Sequence, residues 1–334
     1  MTPTASARVR AAPSLEKIQR PVAAELDAVA VELRRIVTAD NPLITEVSSH
    51  LLQIRGKMLR PTLLLLASAS AGTPDRRAIP LAATVELIHL ATLVHDDAVD
   101  HSVLRRGLPT VNSLFSHQVA VIMGDFLYAR SLATLVNSGE FEALRILTAA
   151  SIELTIGEMR QLAAFDALRF SEEDYEVLIR AKTAALFAGA LAVGALCGAE
   201  PHRPALERFG IRLGMAFQIA DDLLDYTGSQ DVTGKPSGLD LREHKVTLPL
   251  IHALRHVTAA ERKRVEALFA AAEPDDAQIA DVISIVASHG GLEYARRRGE
   301  ELARDAEDAL SSLPDTPARH ALLDTIAYVM DRRS

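Results

Sequence analysis

The distribution of apolar and polar positions along this chain is typical of an α-helical protein. Helix-favouring Ala, Leu, Glu and Arg are abundant, whereas compact alternating segments bounded by turns are scarce. No proline lies between Pro109 and Pro201, which favours long uninterrupted helices because proline removes a backbone donor. The pattern predicts helices near residues 22–39, 43–53, 60–71, 79–101, 118–136, 140–163, 173–197, 203–226, 243–255, 258–270, 275–288, 291–312 and 315–331.

These helices are expected to form one large bundle. Ala184–Leu196 is apolar almost all round, which is typical of a helix inside a bundle rather than on its surface. Thr227–Asp240 is the most loop-like interior segment, and neither a repeat nor a low-complexity linker divides the chain. We therefore predict a single all-α domain over residues 19–334 with a central cavity between facing helices, preceded by a flexible tail at residues 1–18.

Composition and charge narrow the class of protein. The 334 residues are 49% hydrophobic and carry a net charge of −8, which permits a sizeable core and gives no reason to expect nucleic-acid binding. The one cysteine, Cys197, cannot form an internal disulfide and suits a reducing compartment. We recognise no secretory signal and no apolar stretch long enough to span a membrane, which predicts a soluble cytoplasmic protein.

An acidic DDxxD cluster closes the predicted helix at 79–101. It consists of Asp96, Asp97 and Asp100. The four-residue spacing places Asp96 and Asp100 on one helical face, where they repel each other and the helix dipole unless a cation binds. Paired carboxylates suit Mg²⁺, which completes its coordination with water and phosphate oxygens. A solvated acidic helix end is the alternative interpretation.

A second cluster of the same spacing favours the metal site. Asp221, Asp222 and Asp225 close another apolar helical segment, Ile211–Ala220. Two such clusters predict facing walls that hold several Mg²⁺ ions against a diphosphate and assist its departure. Several basic residues are suited to binding diphosphates, although each of them taken alone would be interpreted as a surface charge. They are Lys57, Arg60, Arg105, Arg106, Lys182, Lys235 and Lys245.

These segments resemble the motifs of the trans-isoprenyl diphosphate synthases, the polyprenyl synthetase family, and its long-chain octaprenyl, heptaprenyl and solanesyl members in particular. The resemblance covers about residues 20–330. One departure is Arg55, which stands where many members have a second glycine before the lysine. The matching segments are GKMLRP (Gly56–Pro61), DDAVDHSVLRRG (Asp96–Gly107), GEMRQL (Gly157–Leu162), AKTAALF (Ala181–Phe187), GMAFQIADDLLDY (Gly214–Tyr226) and GKPSGLDLREHKVTLP (Gly234–Pro249).

The resemblance implies a Mg²⁺-dependent, head-to-tail condensation of isopentenyl diphosphate with an allylic prenyl diphosphate, in a helical fold that is usually a homodimer. The metal ligands that it implies are Asp96, Asp100, Asp221 and Asp225. The catalytic set that it implies is Asp96, Asp97, Asp100, Asp221, Asp222 and Lys182. It assigns isopentenyl diphosphate to Lys57, Arg60, His89 and Arg106, and the allylic diphosphate to Arg105, Lys182, Thr183, Gln218, Lys235 and Lys245.

Two of these assignments rest on positions along the helix that ends in the first cluster. His89 lies two turns before Asp96, and a satisfied core histidine is its alternative interpretation. In this family the residues before the cluster line the start of a tunnel for the growing chain. Here Ala91 and Thr92 are small and Ile88 is aliphatic. An isoprene unit is about one helical turn long, about 5 Å, so each turn of tunnel wall without a large aromatic side chain admits about one more unit. We therefore predict a long product, such as a quinone side-chain precursor.

Other functions remain open at this stage. A short-chain synthase that makes farnesyl or geranylgeranyl diphosphate is the nearest alternative, and product analysis would separate it. A subunit of a heteromeric synthase usually has degraded aspartate clusters, whereas both clusters are intact here. A terpene cyclase usually lacks the second DDxxD and the segment at Gly56–Pro61, and a structural cation-binding bundle would bind Mg²⁺ without turnover.

Overall fold

A computed structural model describes residues 13–54, 56–72, 75–162, 167–228 and 238–331. Within them the chain is almost entirely helical, which confirms the predicted all-α fold. Two-residue strands β1 (Leu104–Arg105) and β2 (Leu108–Pro109) form an antiparallel hairpin. The α-helices are α1 (Leu15–Gln19), α2 (Ala23–Val37), α3 (Pro42–Ile54), α4 (Leu59–Ala69), α5 (Ala78–Val99), α6 (Val111–Leu114), α7 (His117–Ser138), α8 (Phe141–Leu162), α9 (Glu172–Ile179), α10 (Ala185–Leu196), α11 (Arg203–Thr227), α12 (Leu239–Arg242), α13 (Leu248–Ala253), α14 (Ala259–Ala270), α15 (Asp276–Ser288), α16 (Gly291–Ala309) and α17 (Pro317–Met330).

The structure differs from the predicted helices in three places. A π-helical turn at Arg180–Ala184 separates α9 from α10, where one helix was predicted. The helix predicted at 243–255 begins only at Leu248, because Pro249 starts it. The packed structure also begins before the predicted boundary at residue 18. Ser14 accepts a hydrogen bond from the backbone N–H of Lys17 and so caps α1, whose Ile18 is fully buried.

The core is built around helices that pack at very short distances. Every residue of α10 except Leu196 is buried, as its all-round apolar sequence predicts. A side chain at Gly194 would overlap the backbone carbonyl oxygen of Leu64, so glycine allows α10 and α4 to approach each other. A second apolar cluster joins the C-terminal half of α11 to helices α13–α16.

Three helical segments are long and apolar enough to cross a membrane by length and composition: Ala78–Val99, His117–Ser138 and Glu172–Leu196. This corrects the expectation that no apolar stretch has that length. In the first and third segments, 67% and 72% of the apolar window is buried inside the protein, so the bundle core accounts for their composition. In His117–Ser138 only 33% is buried, which leaves an apolar face of α7 exposed.

Candidate active site

The first aspartate cluster lies where α5 ends. Asp96 is half-buried in the last turn, and the exposed Asp100 caps the helix through a 2.8 Å backbone hydrogen bond to the Asp96 carbonyl. Burial raises the pKa of Asp96 to about 6; the carboxylates of Glu158 and Asp100 add to the effect, and the cations of Lys182 and Arg105 oppose it. Asp96 therefore lies among two carboxylates and two cations, and burial is the main cause of its raised pKa.

Asp97 has a different environment from its two neighbours. It is buried, with 6% of its surface exposed, because it lies 100° around the helix from Asp96. The Arg105 guanidinium donates Nε–H and Nη2–H to this carboxylate at 2.8–3.0 Å in a two-pronged pair. Arg105, assigned from the sequence to the allylic diphosphate, is therefore engaged with Asp97 and anchors the hairpin to α5.

The second cluster, at the end of α11, contains a buried hydrogen-bond network. Asp222 accepts the Tyr175 hydroxyl at 2.6 Å and the Gln218 amide at 2.8 Å, and Gln218 in turn accepts the Thr183 hydroxyl at 2.7 Å. Burial raises the pKa of Asp222 despite the Tyr175 and Gln218 hydrogen bonds. The exposed member of the cluster is Asp221. Thr183 and Gln218, assigned to the allylic diphosphate, thus hold Asp222 in place.

Asp225 connects the cluster to the segment that follows it. Its carboxylate accepts the backbone N–H groups of Leu239 at 3.0 Å and Asp240 at 3.1 Å, and so holds the first turn of α12. Burial raises the pKa of Asp225. Asp240, a residue that the sequence analysis missed, adds a further carboxylate, whose pKa is raised by burial and by Asp222 and Asp225.

Lys182 lies in the π-helical turn beside the first cluster. Its ammonium group is 2.9 Å from a carboxylate oxygen of Glu158 and 3.3 Å from the amide oxygen of Gln161. A Cβ atom at Gly157 would lie 3.0 Å from the Ala181 Cβ atom, so glycine lets α8 pack closely against this turn. Glu158 and Gln161 belong to the GEMRQL segment, for which the sequence suggested no individual roles.

Lys245 links the charges of the two clusters. Burial opposes its charged form, but the Glu243 carboxylate at 2.5 Å, together with Asp100 and Asp240, raises the pKa of Lys245 above its ordinary value. Asp100 belongs to the first cluster, and Asp240 interacts with Asp222 and Asp225 of the second, so Lys245 interacts with carboxylates on both sides. Lys235 and Arg55 lie outside the described residues.

A separate basic group lies on the α4 side of α5. The Arg60 guanidinium stacks on Phe187, with 4.9 Å between the guanidinium carbon and the ring centroid, and donates to His89 Nε2 at 3.0 Å. Since a guanidinium only donates, Nε2 must accept, and His89 is neutral with its proton on Nδ1. Burial, followed by Arg60, Arg106 and Arg105, lowers the pKa of His89 well below its ordinary value.

Arg60 retains unused hydrogen-bonding capacity. Burial lowers the pKa of Arg60 to about 10, opposed by Glu86 and reinforced by Arg106, so the group stays cationic at neutral pH. Its buried Nε has no hydrogen-bond partner among the described residues. A half-buried cation whose buried donor has no partner is the arrangement expected of an anion-binding group.

Arg106 reaches the same region from the hairpin. Arg106 (φ 54°) and Gly107 (φ 77°) form its two-residue turn, in which both positions require positive φ. The Arg106 guanidinium donates to the Ile54 carbonyl at 2.9 Å and lies against Gly56, where a Cβ atom would be 2.5 Å from both of its terminal nitrogens. Lys57 is exposed, with its ammonium 5.7 Å from the centre of the Tyr328 ring.

The residues assigned to the tunnel lie on α5 between the two groups of charges. Ala91 and Ile88 are 2% and 1% exposed. The Thr92 hydroxyl donates to the His89 carbonyl at 2.8 Å, so its polar group is satisfied within the helix. Ala91 and Ile88 are thus packed in the core, and neither is aromatic.

The aspartate clusters fit a divalent cation whose coordination is completed from outside the protein. No group of three or more His, Cys, Asp or Glu side chains in the described residues forms a ready-made metal site. The available donors are carboxylate oxygens, which suit Mg²⁺ when waters and substrate phosphates supply the remaining ligands. A bound cation would stabilise the charged form of Asp96, which burial disfavours.

Comparison with known proteins identifies the family. Residues 41–286 match the polyprenyl synthetase family model. The all-trans-nonaprenyl-diphosphate synthase (geranyl-diphosphate specific) of Rhodobacter capsulatus is 37% identical over 95% of this chain and 98% of its own. A decaprenyl diphosphate synthase structure from the same organism is 38% identical, with a TM-score of 0.91 and coverage of 96% of this chain and 100% of its own.

A second solved structure carries ligands. The polyprenyl synthase of Caulobacter crescentus, in complex with calcium and isoprenyl diphosphate, is 34% identical, with a TM-score of 0.91, and the match covers 97% of this chain and 100% of that one. The similarity extends over nearly the full length in all three cases, and the family model spans both aspartate clusters. The chain belongs to the polyprenyl synthetase family.

Proposed function

We propose that this protein is a Mg²⁺-dependent trans-prenyltransferase that condenses isopentenyl diphosphate with an allylic prenyl diphosphate and makes a long-chain all-trans polyprenyl diphosphate. The observation that carries the proposal is that Lys245 interacts with carboxylates beside both aspartate clusters, Asp100 and Asp240, while a separate basic group contains Arg60 and Arg106. One site suits a metal-bound diphosphate, and the other suits a second diphosphate bound directly by the protein.

The allylic diphosphate belongs at the carboxylate clusters. Asp96, Asp100 and Asp221 are the carboxylates that would hold Mg²⁺, and Asp225 is the fourth proposed ligand. When bound, the metal would neutralise the leaving diphosphate as a Lewis acid. Lys182, held by Glu158, and Lys245, held by Glu243, are proposed to donate to the same diphosphate from the π-helical turn and from the α12 side.

Isopentenyl diphosphate belongs at the basic group. Arg60 and Arg106 supply guanidinium forks, and Lys57 supplies a mobile ammonium near the protein surface. Neutral His89 orients Arg60 by accepting its Nη1–H. Neither substrate needs a protein nucleophile. Catalysis is proposed to come from positioning and from electrostatic stabilisation of the departing diphosphate.

Bond making follows from this placement. The allylic carbon–oxygen bond breaks, the isopentenyl double bond forms the new carbon–carbon bond, and the adduct loses one proton, for which the released diphosphate is the proposed base. The growing chain extends along Ala91, Thr92 and Ile88 on α5. These side chains are not aromatic, and the nonaprenyl and decaprenyl synthases among the relatives support a product in the long-chain class.

A second copy of the chain is the proposed partner. Apolar side chains are exposed on α7 and α8, among them Ile122 (67%), Ile152 (61%) and Met159 (61%). Ile152, Ile156 and Met159 recur at helical spacing on one face, an arrangement that suits an obligate interface better than contact with water. We accordingly propose a homodimer, in a soluble and cytoplasmic protein. Light scattering of the purified protein would test the dimeric state.

Product sizing tests the proposed chain length. The purified protein is incubated with isopentenyl diphosphate, farnesyl diphosphate and Mg²⁺, and the dephosphorylated products are separated by chromatography. A ladder that ends at a long prenyl alcohol is expected. A ladder that stops at geranylgeraniol would establish a short-chain synthase instead. Absence of elongation from farnesyl, geranyl and dimethylallyl primers would indicate a missing subunit or another chemistry.

A further inference from the structure

The loop that carries Lys57 is held in place from outside the proposed substrate contacts. Met58 adopts a left-handed conformation (φ 56°, ψ 34°) immediately before α4 begins, although it is not glycine. The residue is buried, with 8% of its surface exposed. A left-handed bend at a residue with a Cβ atom costs energy and persists only where neighbouring groups fix it. The bend sets the direction of Lys57 before it and of α4, with Arg60, after it.

Two side chains hold this bend through consecutive carbonyl groups. The Gln19 amide donates to the Lys57 carbonyl at 3.0 Å and to the Thr62 hydroxyl at 3.1 Å. The Thr62 hydroxyl, which is fully buried, donates in turn to the Met58 carbonyl at 2.7 Å. The carbonyls of Lys57 and Met58, one on each side of the bend, therefore accept hydrogen bonds from two side chains that are bonded to each other, Gln19 and Thr62.

Gln19 is itself fixed by packing of the N-terminal helix. Ile18 and Val22, on either side of it, are fully buried. The Lys17 ammonium pairs with Asp324 of α17 at 2.7 Å, and α17 also carries Tyr328, the ring beneath the Lys57 ammonium. The N-terminal helix is thus docked on the same helix that faces Lys57.

We infer that Gln19 and Thr62 are positioning residues for the isopentenyl diphosphate site, acting through the backbone of Lys57 and Met58. The inference rests on the proposed function, because the anion at this loop is assigned there. Loss of Gln19 releases the Lys57 carbonyl. Loss of the Thr62 hydroxyl removes an acceptor of Gln19 and one of two hydrogen bonds on the Met58 carbonyl, which still accepts the Thr62 backbone N–H at 3.0 Å. Either loss lets the bend relax, which moves Lys57 and the start of α4 without touching the aspartate clusters.

Isosteric substitutions test the inference. Gln19→Met keeps the length and apolar body of the side chain and removes the donor, and Thr62→Val removes the hydroxyl. Each is expected to raise the KM for isopentenyl diphosphate by about threefold to tenfold, the equivalent of one lost hydrogen bond. The KM for farnesyl diphosphate and kcat should change by less than about twofold, because the allylic site is held by other helices.

Matched controls separate positioning from stability. Thr62→Ser keeps the hydroxyl and should restore a near-native KM. Glu16→Gln changes an exposed side chain on the same helix as Gln19 and should leave both KM values unchanged. In the double variant, the effects of Gln19→Met and Thr62→Val should be less than additive, because they remove one network. A parallel rise of both KM values, or no change in either, would overturn the inference.

Binding without turnover distinguishes this inference from the proposed function. Calorimetric titration with isopentenyl diphosphate should show weaker binding to Gln19→Met by the same factor. If the wild-type protein does not elongate but the variants still lose affinity for isopentenyl diphosphate, the proposed reaction is wrong and the positioning role stands. If the wild-type protein elongates and the variants bind and turn over normally, the positioning role is wrong.

Discussion

Adding a single methyl group at Gly56 tests the assignment of Arg106 to isopentenyl diphosphate. The new Cβ atom in Gly56→Ala would lie 2.5 Å from both terminal nitrogens of Arg106, whereas ordinary contact begins near 3.4 Å. The guanidinium must therefore retreat by about 0.9 Å. Its hydrogen bond to the Ile54 carbonyl, now 2.9 Å, would stretch beyond the usual range.

The cost should appear in substrate binding rather than in folding. Losing a charge-assisted hydrogen bond costs about 1.5–3 kcal/mol, so misplacing this guanidinium should raise the KM for isopentenyl diphosphate by roughly tenfold to a hundredfold. The displaced atoms are the end of a flexible side chain, and Gly56 is not in the left-handed region. The free energy of unfolding should therefore change by less than about 1 kcal/mol.

Two other glycines provide the controls. At Gly189 a Cβ atom would meet its nearest neighbour at 3.5 Å, an ordinary contact, so Gly189→Ala should leave both KM values and the stability near native. At Gly194 it would overlap the backbone of α4, so Gly194→Ala should lower the free energy of unfolding by about 1–3 kcal/mol. Steady-state kinetics and denaturant unfolding measure both effects. A folded Gly56→Ala protein with an unchanged KM for isopentenyl diphosphate would refute the role given to Arg106.

Three further predictions concern the walls of the site. Ala91→Phe should shorten the product, as sized by chromatography, and an unchanged ladder would mean that Ala91 does not line the tunnel. Tyr175→Phe removes the hydroxyl donated to buried Asp222 and should lower the free energy of unfolding by about 1–3 kcal/mol; urea denaturation at pH 7.5 checks this, and an unchanged midpoint and slope would contradict it. The pKa of His89 is depressed in the folded protein, so the unfolded chain binds the extra proton first and stability should fall as the pH drops through about 6.5. In His89→Gln, the free energy of unfolding should depend less on pH, by up to about 1.4 kcal/mol per pH unit. Urea midpoints measure this, and a shift between pH 7.5 and 5.5 that is equal in the wild-type protein and the variant would exclude the role of His89.

The helices were predictable because their signals are local. Proline placement and apolar periodicity act within a few positions of one another. The π-helical turn at Arg180–Ala184 was not predictable, since it accompanies the close approach of Gly157 on another helix. The capping of α12 by Asp225 across a 13-residue gap was missed for the same reason.

The chemistry of the site was partly predictable from residue type and spacing. The four-residue spacing of the aspartates predicts a shared face, and in the structure Lys245 interacts with Asp100 of the first cluster and with Asp240. Spacing does not show which carboxylates are already engaged. Asp97 pairs with Arg105 because a hairpin folds back on α5, and Asp222 accepts from Tyr175, 47 residues away along the chain. Such partners depend on tertiary packing, so Tyr175, Glu158 and Asp240 had no signal of their own.

The most direct test of the account is elongation with and without each aspartate cluster. The purified protein, Asp96→Asn and Asp221→Asn are assayed with isopentenyl diphosphate, farnesyl diphosphate and Mg²⁺, and circular dichroism confirms that each is folded. We predict elongation by the wild-type protein that EDTA abolishes and excess Mg²⁺ restores, and losses of about a hundredfold or more in either variant, of the size seen when an electrostatic contact to the departing charge is removed. Elongation that survives EDTA, or full activity in either variant, would contradict a reaction that depends on both clusters.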